Sequence, residues 1–166
     1  MKVTDDTHVN PAEGKEVLPW FYVEVMFDPH DIRGYILGGY WLLQMGRYED
    51  SMKFLMEGKK NNPNSAEILT SIGEVYYRRN EFDEARSYLA RACQLWLEGK
   101  PPNVPSNQYM TGDRFLAFDL LGSLYERKGF YEDAIKIYDM IYRIDKNPAI
   151  FEKIKRVQGM RTGAAH

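Results

Sequence analysis

Gly39 and Gly73 stand 34 residues apart, and so do Pro29 and Pro63. Twelve residues after each glycine comes a small residue: Ser51 after Gly39, Ala85 after Gly73, and Ala134 after Gly122. Between them recur Gly46-Arg47-Tyr48-Glu49-Asp50, Asn80-Glu81-Phe82-Asp83-Glu84 and Gly129-Phe130-Tyr131-Glu132-Asp133. A period of this length with a fixed internal grammar restricts the chain to stacked helix–turn–helix units. One unit cannot bury its apolar face alone, so the units stack, and the stack presents a surface.

Composition narrows the class further. The chain has 166 residues, enough for one domain or one short array, and is 44% hydrophobic and 14% aromatic, which argues against disorder. A formal net charge of −2 gives no general attraction to nucleic acid or anionic membrane. The single cysteine, Cys93, excludes an intrachain disulfide. No apolar stretch approaches the ~20 residues of a membrane helix, and Met1–Glu16 lacks the apolar run of a signal peptide. The chain as written reads as soluble, with a cytoplasmic location favoured. The soluble part of a membrane-associated or periplasmic complex is the alternative.

Along the chain, residues 1–15 read as a flexible polar tail. The apolar run from Glu16 to Phe27 is rich in aromatic and β-branched residues and taken alone would suit a strand. The register overrides this: Pro29 mirrors Pro63, so 16–29 is expected to be the second helix of a repeat whose first helix is missing. Repeats are expected over 30–63, 64–98 and 113–147, and a closing helix with its tail over 148–166. Asn80 substitutes for a turn glycine, as asparagine tolerates the left-handed conformation. Gly73 to Gly122 spans fifteen residues more than the period, and the prolines 101, 102 and 105 mark 99–112 as an insert loop. Its Tyr109 and Met110 are candidates to reach over a binding face, against a plain solvent-exposed connection.

Phe118…Leu121-Gly122…Tyr125…Gly129…Tyr131…Ala134 resembles the tetratricopeptide repeat, and 64–98 matches nearly as well. Residues 30–63 depart from the pattern at Gly38, Leu42 and Ser51. The layout from Trp20 to Asn62-Pro63, with a proline-rich insert after the second repeat, looks like bacterial tetratricopeptide proteins of undefined role. Many of those carry an N-terminal membrane anchor that this sequence lacks. The resemblance implies an all-α solenoid of antiparallel helix pairs with capping helices.

It also implies that the first helix of each repeat lines a groove for a peptide or helix of another protein. By register that groove takes Arg33, Ile36, Tyr40 and Gln44 from the first repeat, and Thr70, Glu74, Tyr77 and Arg78 from the second. Asp119, Ser123 and Arg127 come from the third. For Ile36 and other apolar positions, packing against the next repeat is the competing reading. The carboxylate clamp of chaperone-binding tetratricopeptide domains is not matched, because its places hold Ile36, Tyr40, Ser71, Leu116 and Leu120.

No catalytic constellation is found. His8, His30 and His166 lie far apart, without metal-ligand spacing to each other or to Cys93. No phosphate-binding glycine loop or nucleophile elbow occurs. The acidic pairs at 49–50, 83–84 and 132–133 recur with the fold period, so they serve the helix dipole. The expectation is a non-enzymatic protein-binding scaffold without cofactor or metal, with no nucleic-acid partner and no membrane insertion. The alternative is a subunit that self-associates through its ends, using Trp20, Phe21 and Ile154.

Overall fold

The computed structural model describes residues 11–99 and 111–163. Residues 1–10, Lys100–Met110 and 164–166 lie outside them, and with them most of the expected tail and of the insert, including Tyr109 and Met110. Among the described residues there are eight helices and no strand. They are α1 (Pro11–Phe27), α2 (Ile32–Gln44), α3 (Tyr48–Asn61), α4 (Ala66–Arg78), α5 (Phe82–Glu98), α6 (Thr111–Arg127), α7 (Tyr131–Ile144) and α8 (Pro148–Gly163). The chain divides into two compact units, Met1–Pro63 and Asn64–His166.

Three turns join helices within a pair, and all three are built alike. Gly46, Asn80 and Gly129 have φ of 71°, 59° and 75°. At each, two successive backbone N–H groups close the preceding helix, as in Gly46 N to Leu43 O at 3.0 Å and Arg47 N to Leu42 O at 2.9 Å. The left-handed residue makes this closure possible, which is why glycine or asparagine recurs there. Three helix starts carry side-chain caps, Asn147 accepting from the Ala149 amide at the start of α8. Asp31 accepts from the amides of Arg33 and Gly34, and Ser65 accepts from that of Ile68.

In the first unit α1 packs on α2, with Val25 against Gly34 and Trp41 against Gly14. α2 and α3 form a pair in which Gly38 and Gly39 receive Phe54 and Leu55. Ser51 takes the place of the usual alanine without penalty, because its buried hydroxyl donates to the Gly39 carbonyl at 2.8 Å. In the second unit α5 lies between α4 and α6, and α7 between α6 and α8. Leu89, Phe118, Leu121, Tyr138 and Val157 fill its core, each contributing roughly 1.5–3 kcal/mol of burial.

Three expectations need correction. The helix placed from residue 16 begins at Pro11, because proline loses nothing at a first helical position, where the N–H has no partner anyway. The third pair begins at Thr111, not 113, since no proline lies between Pro105 and Thr111 to delay it. Ile154 is buried in the core of the second unit, so it offers no contact to another chain.

Candidate functional site

In the second unit, α4, α6 and α8 are the first-type helices, and side chains join them in a row. The Tyr77 hydroxyl and Ser123 Oγ are 2.8 Å apart, linking α4 to α6. The Arg127 guanidinium lies 4.2 Å from the centre of the Tyr77 ring, within cation–π range. Asp119 on α6 is ion-paired with Lys153 on α8, 34 residues later in sequence. Arg78 pairs with Glu74 along α4 at 2.7 Å. Of the second unit's expected groove residues, the structure thus brings Tyr77, Ser123 and Arg127 together and ties Glu74 to Arg78 and Asp119 to Lys153. The result is a face of alternating charge around a half-buried tyrosine.

Thr70 does not belong to that face. It is buried, and its hydroxyl donates to the Ala66 carbonyl one turn earlier at 2.7 Å. The groove expected over Thr70 is therefore narrower by that residue. Lys153 was missed by sequence reasoning, although its distance of one period from Asp119 was a readable signal. The adjacent network was also missed. Tyr138 Oη donates to Glu126 at 2.6 Å, and Arg156 reaches both oxygens of the same carboxylate at 3.0 Å. Burial, then the hydrogen bond to Glu126, pushes the ionisation of the Tyr138 phenol well above its ordinary range.

In the first unit the expected residues lie on α2. Arg33 and Tyr40 are exposed, Ile36 and Gln44 half-buried. Tyr40 meets the neighbouring Trp41 edge-on at 6.0 Å. On another side of this unit, α1 and α3 border an open hollow of about 520 Å³ above Tyr35. Tyr22, Met26 and Phe54 line it, with Lys53 and Glu57 at the rim. Its signal was hidden because Tyr22 and Met26 fall in a run that reads as uniformly apolar. Of the proposed self-association residues, Trp20 is largely exposed and Phe21 half-buried.

Nothing at these places suggests a nucleophile. Cys93 is buried, and burial pushes its thiol up to about 12. Among the described residues no group of three His, Cys, Asp or Glu side chains could hold a metal ion, and no helix is long and apolar enough to cross a membrane.

The helix pairs with their left-handed turns and glycine notches carry the family. Residues 65–98 and 117–149 match tetratricopeptide repeats. The chain is a tetratricopeptide repeat protein. Residues 32–61 reproduce the same turn and the same glycine notch. No curated protein matches the sequence. Solved structures share the fold. The crystal structure of MamA superposes with a TM-score of 0.66 at 19% identity, over 99% of this chain and 90% of that one. PcrH in complex with the chaperone binding region of PopD gives 0.56 at 19% identity, over 70% of this chain and 82% of that one. The Yersinia enterocolitica type III secretion chaperone SycD, in complex with a peptide of the translocator YopD, gives 0.55 at 16% identity, over 70% and 83%.

Proposed function

We propose that this tetratricopeptide repeat protein is a non-enzymatic adaptor that holds an extended or helical segment of another protein on the α4–α6–α8 face, as part of a larger assembly. The observation that supports it is the cross-linked row Glu74–Arg78, Tyr77–Ser123–Arg127 and Asp119–Lys153. Such a face is held in place before a partner arrives, which lowers the ordering cost of binding. Its chemistry is an aromatic ring with flanking arginines, the residue types that dominate binding energy at protein interfaces. PcrH and SycD, of the same fold, hold partner peptides.

The proposal is tested by selecting peptides from a random display library on the immobilised protein, then measuring binding of the selected peptides to variants. Arg127→Ala and Tyr77→Phe should each weaken binding, about 5-fold or more for the former. Lys136→Ala, on α7, should leave it unchanged. Failure to select any peptide, or selected peptides that bind Arg127→Ala as tightly as the parent, would rule this face out.

A further inference from the structure

The first and last described helices are finished differently. At the C-terminal end, α8 buries Ile154 and Val157 and turns mostly polar residues such as Glu152, Lys155 and Arg156 outward, with Phe151 and Met160 each 41% exposed. At the N-terminal end, α1 does the opposite. Leu18 and Val25 are buried, while Trp20 is 72%, Val23 44%, Met26 79% and Phe27 88% exposed. Trp20, Val23 and Phe27 lie on one side of the helix, spaced by three and four residues, with Met26 at its edge and the exposed Glu24 beside them.

The repeat register explains why Trp20 is bare, whereas Val23 and Met26 correspond to Glu57 and Lys60, which face solvent in the complete repeat. Trp20 and Phe21 stand 34 residues before Phe54 and Leu55, which fill the glycine notch of α2. One period further on, Tyr88 stacks on Tyr76 and Leu89 fills the notch at Gly73. α5 and α7 are each flanked by two first-type helices, but among the described residues no such helix precedes α1.

We propose that α1 pairs with α1 of a second copy of this chain, antiparallel about a two-fold axis near Val23. Residues 20 and 27 are nearly equidistant from that axis. Trp20 of one copy therefore meets Phe27 of the other, and Val23 meets its own equivalent. The area favours this occupant. An aromatic side chain covers about 150–250 Å², so the exposed face of α1 offers on the order of 600 Å², at the top of what a monomer ordinarily leaves bare. Two such faces remove ~1,200 Å² from water, the lower limit for a specific interface. A self-complementary patch around a two-fold axis is the commonest way soluble chains associate. The exposed apolar residues of α8, Phe151 and Met160, are each only 41% accessible and offer α1 less cover. This pairing involves α1 alone, so it stands or falls separately from peptide capture on α4, α6 and α8.

Light scattering over a wide concentration range tests it on the whole chain. The parent should rise from the mass of one chain to that of two, and Trp20→Glu combined with Phe27→Glu should stay at one, with an unchanged helical circular dichroism spectrum. Val23→Cys should form a disulfide-linked dimer on mild oxidation, whereas Gly159→Cys should not. The natural Cys93 is buried with its thiol held protonated, so it does not compete. A parent monomeric at every concentration, a double variant that still dimerises, or cross-linking through Gly159→Cys but not Val23→Cys would each overturn the pairing.

Discussion

Two kinds of glycine hold this fold, and a single substitution separates them. Gly73 sits where α4 and α5 cross, and a Cβ there would come within 2.6 Å of Leu89 Cγ. Gly46 has nothing within 4 Å of such a carbon, but its φ is 71°. The first is required for space and the second for conformation. Asn80 already holds the equivalent turn at φ 59°, so asparagine satisfies the conformational demand. Gly46→Asn is therefore expected to change stability by less than about 0.5 kcal/mol. Gly73→Asn must push two helices apart and should cost more than about 2 kcal/mol, even after the ~0.3 kcal/mol that asparagine gains over glycine in a helix. Urea unfolding followed by circular dichroism measures both. Equal losses would mean that the crossing at Gly73 relaxes more than its packing implies.

At the scale of the element, the sequence was most informative where geometry repeats. The left-handed turns, the glycine notches and the cap at Ser65 all recur or follow local rules, so a 34-residue comparison exposes them. It was least informative where partners come from different helices. Nothing in the local pattern of α6 says that Glu126 faces Tyr138 twelve residues later and Arg156 thirty residues later. Thr70 misled for a related reason: its register places it on the groove side, but its hydroxyl turned back to its own helix. Two of the ion pairs that fasten α8 should differ in strength. Asp119 and Lys153 side chains are 47% and 39% exposed, so solvent screens them, and Lys153→Ala should cost under about 1 kcal/mol. Glu126 is 13% exposed and has two partners. Arg156→Ala leaves that carboxylate with Tyr138 alone and should cost about 1.5–3 kcal/mol. Denaturant midpoints of the two variants, at unchanged slope, decide the order.

At the scale of the whole molecule, the 34-residue grammar suggests one uniform array, whereas the chain divides after Pro63. The division follows from where each core draws its side chains. The cluster that runs from Leu69 to Val157 takes every member from α4 to α8, so residues 64–166 contain a core of their own whose last helix turns mostly polar residues outward. Residues 1–63 hold three described helices, one of which leaves Trp20, Met26 and Phe27 bare. Chains of ~60 residues bury only about 60% of the surface they expose when unfolded, so such a piece is marginal by size alone. Expressed separately, 64–166 should melt cooperatively with a helical spectrum. The 1–63 piece should be helical only at high concentration, where association through α1 adds burial that its own core lacks. A 1–63 piece that stays folded on dilution would show that three helices suffice. A 64–166 piece without a cooperative transition would show that the second core does not stand on its own after all.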